Sequence, residues 1–262
     1  MKNDDKPYRI LLIGSGRVAT HLAEQLTLNG AEIPLVVSRS SENAQILAAK
    51  IGAKAQNFLP ENTNDFDFII LSVSDNAYET FVCQLTENKK SIILHTSGSV
   101  DMDVLKALPN HGVLYPFQTF SFDRSIDFST IPIMIEANNI ENLNKIRALA
   151  HILSPNIMEV SSHQRAIIHV AAVFVCNFVN HLYVEAETLL KLENIDFSIL
   201  HSLMKETSQK AIELSPSKSQ TGPAMRKDMN IINKHLALIT DEKSRDLYHK
   251  ISHLIIEKTE KT

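Results

Sequence analysis

Cysteine is nearly missing from this chain: of 262 residues only Cys83 and Cys176 carry a thiol, and neither stands in a CxxC pair. That excludes a disulfide framework and a thiolate metal site, and makes a reducing compartment the default. Basic residues are not in excess, since 26 Lys and Arg face 30 Asp and Glu for a formal charge of −4. Nothing in that balance points to nucleic acid as a partner. The opening residues MKNDDKPYRI lack the apolar core of a signal peptide, so the expected location is the cytoplasm. Repeats, low-complexity tracts and long charge runs are also missing. Only Ala166 to Val184 approaches the length of a membrane span, and His169, Asn177, Asn180 and His181 interrupt it. A buried helix is the expectation there, with no membrane partner. What remains is a globular chain, 44% hydrophobic, of one large or two medium domains.

The chain has two textures. Through about residue 160, short β-branched runs (RILLIG, IPLVVS, DFIILSVS, SIILHTSG, GVLYPF, IPIMIEA, NIMEVS) alternate with helical patterns around His21, Ala44, Tyr78, Val104 and Ile146. Runs without in-out alternation suit strands buried on both faces of a parallel sheet. The expected fold class is therefore α/β, a doubly wound, mostly parallel sheet. After Ser161 the strand signals stop, and long stretches over roughly 163–191, 196–214, 224–239 and 241–259 read as helices, with Asp196 and Asp241 as N-caps. The expectation is a dinucleotide-binding domain over 1–160 and an all-helical domain over 161–262, with SPSKSQTGP at 215–223 as one exposed loop.

Glycine is scarce as well, at seven residues, yet two of them sit one residue apart in RILLIGSGRVATHLAEQL. The spacing Gly14-x-Gly16-x-x-Ala19 falls between a strand and a helix. In a dinucleotide fold the first glycine makes the turn, the second lets backbone N–H groups meet a pyrophosphate, and a small third residue allows close packing. Gly14, Ser15, Gly16, Arg17 and Val18 would line the phosphates at the helix N-terminus, where free N–H groups and the macrodipole favour an anion. The same small residues would also serve a plain tight turn.

An NAD site usually carries a carboxylate about 20 residues beyond the glycines to hold the ribose. This chain instead reads Val37-Ser38-Arg39-Ser40-Ser41. Arg39 can pair a 2′-phosphate and Ser38 and Ser40 can donate to it, which favours NADP as cofactor. Ser40 or Ser41 would equally cap the next helix. Ligands of parallel sheets bind beyond the carboxyl ends of the strands. Ser72-Val73-Ser74 and Thr96-Ser97-Gly98 therefore belong at the cofactor edge, although Asp75 or Asn76 also suits a helix cap.

GSGRVA, Ser-Arg-Ser, SVSD, HTSGS and YPFQTF, followed by HVAAVFVCN and TGPAMRKD, together resemble the Rossmann-like NADP oxidoreductase family. The chain is similar to deazaflavin-coenzyme-dependent NADP reductases and, more distantly, to pyrroline-5-carboxylate reductase and the 3-hydroxyisobutyrate and 6-phosphogluconate dehydrogenases. The resemblance implies a nicotinamide across the sheet edge and a homodimer formed through the helices. It also implies a substrate loop in which Ser97 and Gly98 match two positions of a Ser-Gly-Gly-like motif. Asn177 matches an asparagine that relatives place one turn after a catalytic lysine, but Val173 stands where that lysine would be.

His169, eight residues before Asn177 and nearly on the same helical face, is the replacement candidate for general acid/base. The alternative is a hydrogen-bonded core histidine. Gly222-Pro223 suits a helix start, which would aim free N–H groups and Arg226 at an anionic substrate, with Asp228 also expected in the substrate site. An Arg226–Asp228 surface pair is the plainer role. His249 and His253 have i,i+4 spacing but no third ligand, so no metal is expected. The expected function is an NADP(H)-dependent oxidoreductase acting on a small anionic carbonyl, hydroxy or imine compound. The alternative is a non-catalytic NADP-binding sensor or regulatory protein, and a methyltransferase is a weaker third.

Overall fold

The computed structural model describes residues 6–259. Its eight strands are β1 (Arg9–Ile13), β2 (Glu32–Val37), β3 (Lys54–Gln56), β4 (Phe68–Leu71), β5 (Ile92–His95), β6 (His111–Pro116), β7 (Ile133–Ala137) and β8 (Ile157–Glu159). They form one sheet in the order β3-β2-β1-β4-β5-β6-β7-β8. Neighbours from β3 through β6 are parallel, β7 is antiparallel to β6, and β8 is parallel to β7. Helices α1 (Arg17–Leu28), α2 (Ser41–Ile51), α3 (Tyr78–Gln84) and α4 (Ile140–Leu153) lie among these strands. The segment around Val104 forms only a 3-10 turn, Met102–Leu105.

The pleat explains the two-layer core. Successive side chains of a strand point to opposite faces. Ile10, Leu12, Phe68, Ile70, Ile92 and Leu94 join one apolar cluster with α1, α2 and α4. Leu11, Ile13, Ile69, Leu71 and Ile93 join the other with Tyr78 and Val82 of α3. A run without alternation is what a strand covered on both faces requires. The strand β3 escaped the sequence pattern because its Lys-Ala-Gln is polar and lies on the sheet edge.

The chain divides into two compact units, Met1–Val173 and Phe174–Thr262. The division falls inside the long helix rather than in the loop ahead of it. That helix comprises α5 (Ser162–Ala172), a π-helical turn (Val173–Phe178) and α6 (Val179–Leu192). A capping box starts it, with Ser161 and Gln164 each satisfying the other's backbone N–H. In the second unit follow α7 (His201–Leu214), α8 (Pro216–Ser219), α9 (Met229–Leu238) and α10 (Glu242–Thr259). Asp196 and Asp241 cap as expected, accepting from Ser198 N and Ser244 N at 2.8 Å each.

Two expectations are corrected here. The helix read over 224–239 begins only at Met229, because Lys227 (φ +56°) takes a left-handed conformation that a helix cannot contain. Asp228 caps it instead, accepting from Ile231 N at 3.1 Å. The apolar stretch 166–184 is also not buried. The helix Ser162–Leu192 is long and apolar enough to cross a bilayer, and none of its most apolar window is covered.

Candidate functional site

Leaving β1 the chain crosses to β2 on one side, while β4 pairs on the other side of β1. Open α/β sheets take their ligands at such a switch point, beyond the carboxyl ends of the strands. Gly14 stands there at φ +119°, and a Cβ on it would lie 2.0 Å from the backbone oxygen of Ser72. Gly16 is different. Its backbone is extended, and a Cβ on it would meet nothing within 4 Å. No side chain caps the start of α1, and its first turn holds no acidic residue. The first glycine thus serves the chain. The second leaves an open cradle of N–H groups at the positive end of a helix, which fits a pyrophosphate.

The neighbouring side chains follow the same edge. Ser15 is buried and its hydroxyl donates to Ser38 Oγ at 2.8 Å, tying the glycine turn to the end of β2. Ser40 caps α2, accepting from Asn43 N at 3.4 Å. Arg39 is exposed beside them and has no ion-pair partner among the described residues. Arg17 projects over the ring of Phe122, 5.9 Å from its centroid, and Val18 packs into the core. Thr96 donates to Ser72 Oγ at 3.2 Å, joining the ends of β5 and β4. Val73 packs under the edge, and Ser74 precedes a 3-10 turn, Asp75–Ala77, without capping it through its side chain. Asp75 accepts from Ser99 Oγ at 3.1 Å instead.

The loop after β5 turns through Ser97, whose hydroxyl accepts from Ser99 N and Val100 N at 3.2 Å each. Gly98 is buried against two side chains: a Cβ there would lie 2.6 Å from His169 Nδ1 and 2.7 Å from Tyr115 Oη. Those two atoms are themselves 3.0 Å apart. The sequence marked His169, whereas Tyr115 entered only within the stretch YPFQTF. The available signal was its position at the carboxyl end of β6, beside the loop that carries Ser97.

One turn before His169, Arg165 is fully buried. Its guanidinium donates to Glu136 Oε2, to the Val100 carbonyl at 2.7 Å and to Ser162 Oγ at 3.1 Å. Glu136 also accepts from Ser162 N and Ser162 Oγ at 2.8 Å each. This network ties α5 to β7 and to the loop after β5. Neither Arg165 nor Glu136 was singled out from the sequence. Beneath the loop, His95 is buried and receives Ser97 N at Nδ1, 3.2 Å away. Burial, reinforced by the Arg165 charge, pushes its pKa down to about 3, so it stays neutral. The Tyr78 hydroxyl nearby is held protonated by burial and by Asp75.

The remaining sequence candidates lie in the second unit. Asn177 is exposed within the π-helical turn, whose wider winding resets the phase assumed from an α-helical count of eight residues. Arg226 is exposed in the turns before α9, and Asp228 is engaged as the cap of that helix.

A doubly wound sheet with an open helix N-terminus at its switch point defines a dinucleotide-binding protein of the Rossmann class. The chain belongs to the NADP oxidoreductase family. It is 39% identical to the putative NADP oxidoreductase BF3122 from Bacteroides fragilis, over 96% of its own length and 98% of that chain, with a TM-score of 0.91. Residues 9–98 match the family described as NADP oxidoreductase coenzyme F420-dependent, and residues 131–255 match a domain of unknown function, DUF2520. Protein TM1727 from Thermotoga maritima shares the fold at 22% identity and TM-score 0.78, over 96% of this chain and 99% of that one. A reductive aminase from Aspergillus terreus, in complex with NADPH and ethyl-5-oxohexanoate, shares it at 12% identity and TM-score 0.67, over 98% and 93%. No curated protein sequence matches this one.

Proposed function

We propose that the protein is an NADP(H)-dependent reductase, or the reverse dehydrogenase, of a small anionic carbonyl, hydroxy or imine compound. The observation that carries this reading is the open turn at Gly16, with Arg39 and two serines placed beside it and no carboxylate where an NAD site would need one. Backbone N–H groups of Arg17 and Val18 would hold the pyrophosphate. Arg39 would pair the 2′-phosphate, with Ser38 and Ser40 donating beside it. Ser72, Val73, Ser74 and Thr96 would border the nicotinamide half, and Ser97 and Gly98 the substrate. The bound cofactor supplies the hydride. The chain supplies position and a proton, with His169 as the acid/base.

Calorimetric titration with NADPH and NADH side by side tests this reading. NADPH should bind at least tenfold tighter. Arg39→Ala should cost NADPH about 1.5–3 kcal/mol, the worth of a hydrogen bond to a charged group, and leave NADH nearly unchanged. Binding of neither nucleotide overturns the reading, and equal weakening of both removes the 2′-phosphate assignment.

We assign the working form as a cytoplasmic homodimer joined through the helices. Phe174, Val175 and Phe178 are 62%, 68% and 51% exposed, and Ile199, Leu203 and Ile212 are exposed as well. Apolar surface on this scale is what an interface between copies covers. Light scattering at micromolar concentration should give twice the chain mass, and a monomer mass overturns the assignment.

A further inference from the structure

Reduction of a C=N or C=O bond needs a proton on the heteroatom as well as a hydride on carbon. Among the described residues, Tyr115 and His169 form a pair with the geometry to deliver one. Tyr115 Oη and His169 Nδ1 are 3.0 Å apart, and their rings meet edge to face at 6.2 Å. Both side chains are half-buried rather than sealed in the core. The loop after β5 is pressed onto both atoms at Gly98, where any larger residue would strike them. This loop is the one that carries Ser97. A merely structural tie between β6 and α5 is an inadequate account of the pair. The helix α5 is already pinned by the buried Arg165, through Glu136, Val100 and Ser162. A second polar tie, left partly open to solvent, adds little to that anchorage.

We infer that Tyr115 is a catalytic residue: its hydroxyl hands the proton to the substrate heteroatom, and His169 restores it. This rests on the reductase reading given above. As the carbon receives hydride, the π pair of the C=N or C=O bond moves to the heteroatom, which takes the proton from Tyr115 Oη. The protonated imidazole of His169 then gives its Nδ1 proton to the phenolate oxygen and is itself reprotonated from water. One hydride and one proton are consumed, and NADPH leaves as NADP+. Proton delivery by a positioned side chain contributes typically about 10²–10⁴-fold in rate.

The test compares wild type, Tyr115→Phe and His169→Ala. NADPH affinity is read by calorimetry, NADPH oxidation is followed with the anionic imine 1-pyrroline-5-carboxylate and the keto acid levulinate, and the imidazole nitrogens are read by 15N NMR. Tyr115→Phe should keep NADPH affinity within twofold and lose at least about 10²-fold in kcat with little change in KM. It should also shift the 15N signal assigned to His169 by its loss in His169→Ala. A Tyr115→Phe protein within threefold of the wild-type rate overturns the inference, as does an unmoved His169 signal. A wild type that binds NADPH but oxidises it with neither probe overturns this pair as the source of a proton for C=N or C=O reduction. A wild type that binds no NADPH overturns the reductase reading itself.

Discussion

Alanine at Gly14 should strongly destabilise the nucleotide-binding unit, whereas alanine at Gly16 should leave the fold intact and weaken nucleotide binding. At Gly14 the added methyl carbon would lie 2.0 Å from the Ser72 backbone oxygen, at a φ of +119° that L side chains rarely adopt. Neither neighbour can retreat. Ile13 is fully buried in β1, Leu71 is fully buried in β4, and Ser72 N is bonded to Ile13 O at 2.8 Å. Overpacking and forced dihedral strain each cost about 1–3 kcal/mol. Together they should lower the melting temperature by roughly 10 °C, at about 2–4 °C per kcal/mol for a chain near this size. Gly16 has open space where its Cβ would go, so Gly16→Ala should melt within a few degrees of wild type. Its methyl would occupy the room a pyrophosphate needs, and NADPH affinity should fall at least tenfold, about 1.4 kcal/mol. Thermal denaturation without ligand and calorimetry with NADPH separate the two effects. A Gly16→Ala protein that binds NADPH like wild type would place the phosphates elsewhere.

The contrast between these glycines also shows what a sequence discloses. The motif was legible because turn chemistry is local, yet the division of labour within it depends on Ser72, 58 residues away, which only the fold brings to Gly14. The buried strands were legible for the same local reason, since a run covered on both faces has no polar side. The edge strand β3 was not, because a solvated strand of three residues carries no apolar run. The helix at 166–184 misled in the opposite direction. Apolar composition says that a face avoids water, but not whether its own chain or another covers it. In the candidate site, His169 stood out as a polar residue in an apolar stretch. Tyr115 did not, because its partner lies 54 positions along the chain. Arg165 and Glu136 stand in no local pattern that marks them, and their pairing across 29 positions is a product of tertiary structure.

That last pair leads to the second large effect. Glu136→Ala should destabilise the first unit by about 3–5 kcal/mol, because removing one partner of a buried ion pair strands the other charge. Arg165 has no exposed surface, and its Nε already lacks a hydrogen-bond partner, so the guanidinium has no route to water once its carboxylate is gone. The same change deletes the acceptor for Ser162 N and Ser162 Oγ at the start of α5. Arg165→Met should cost less. It removes the buried charge and fills much of its volume with an apolar chain, and the Glu136 side chain, 17% exposed, retains some access to solvent and its bonds to Ser162. The two variants should therefore melt in the order Glu136→Ala, Arg165→Met, wild type. The consequence reaches the site through the helix, because Arg165 and His169 are one turn apart on the same face. Loosening the Arg165 anchor lets His169 move against Tyr115, so turnover should fall in both variants, while NADPH affinity should hold if the proposed Gly16 turn carries it. A Glu136→Ala protein as stable as wild type would mean that the guanidinium finds water after all, and that something other than this network sets the position of α5.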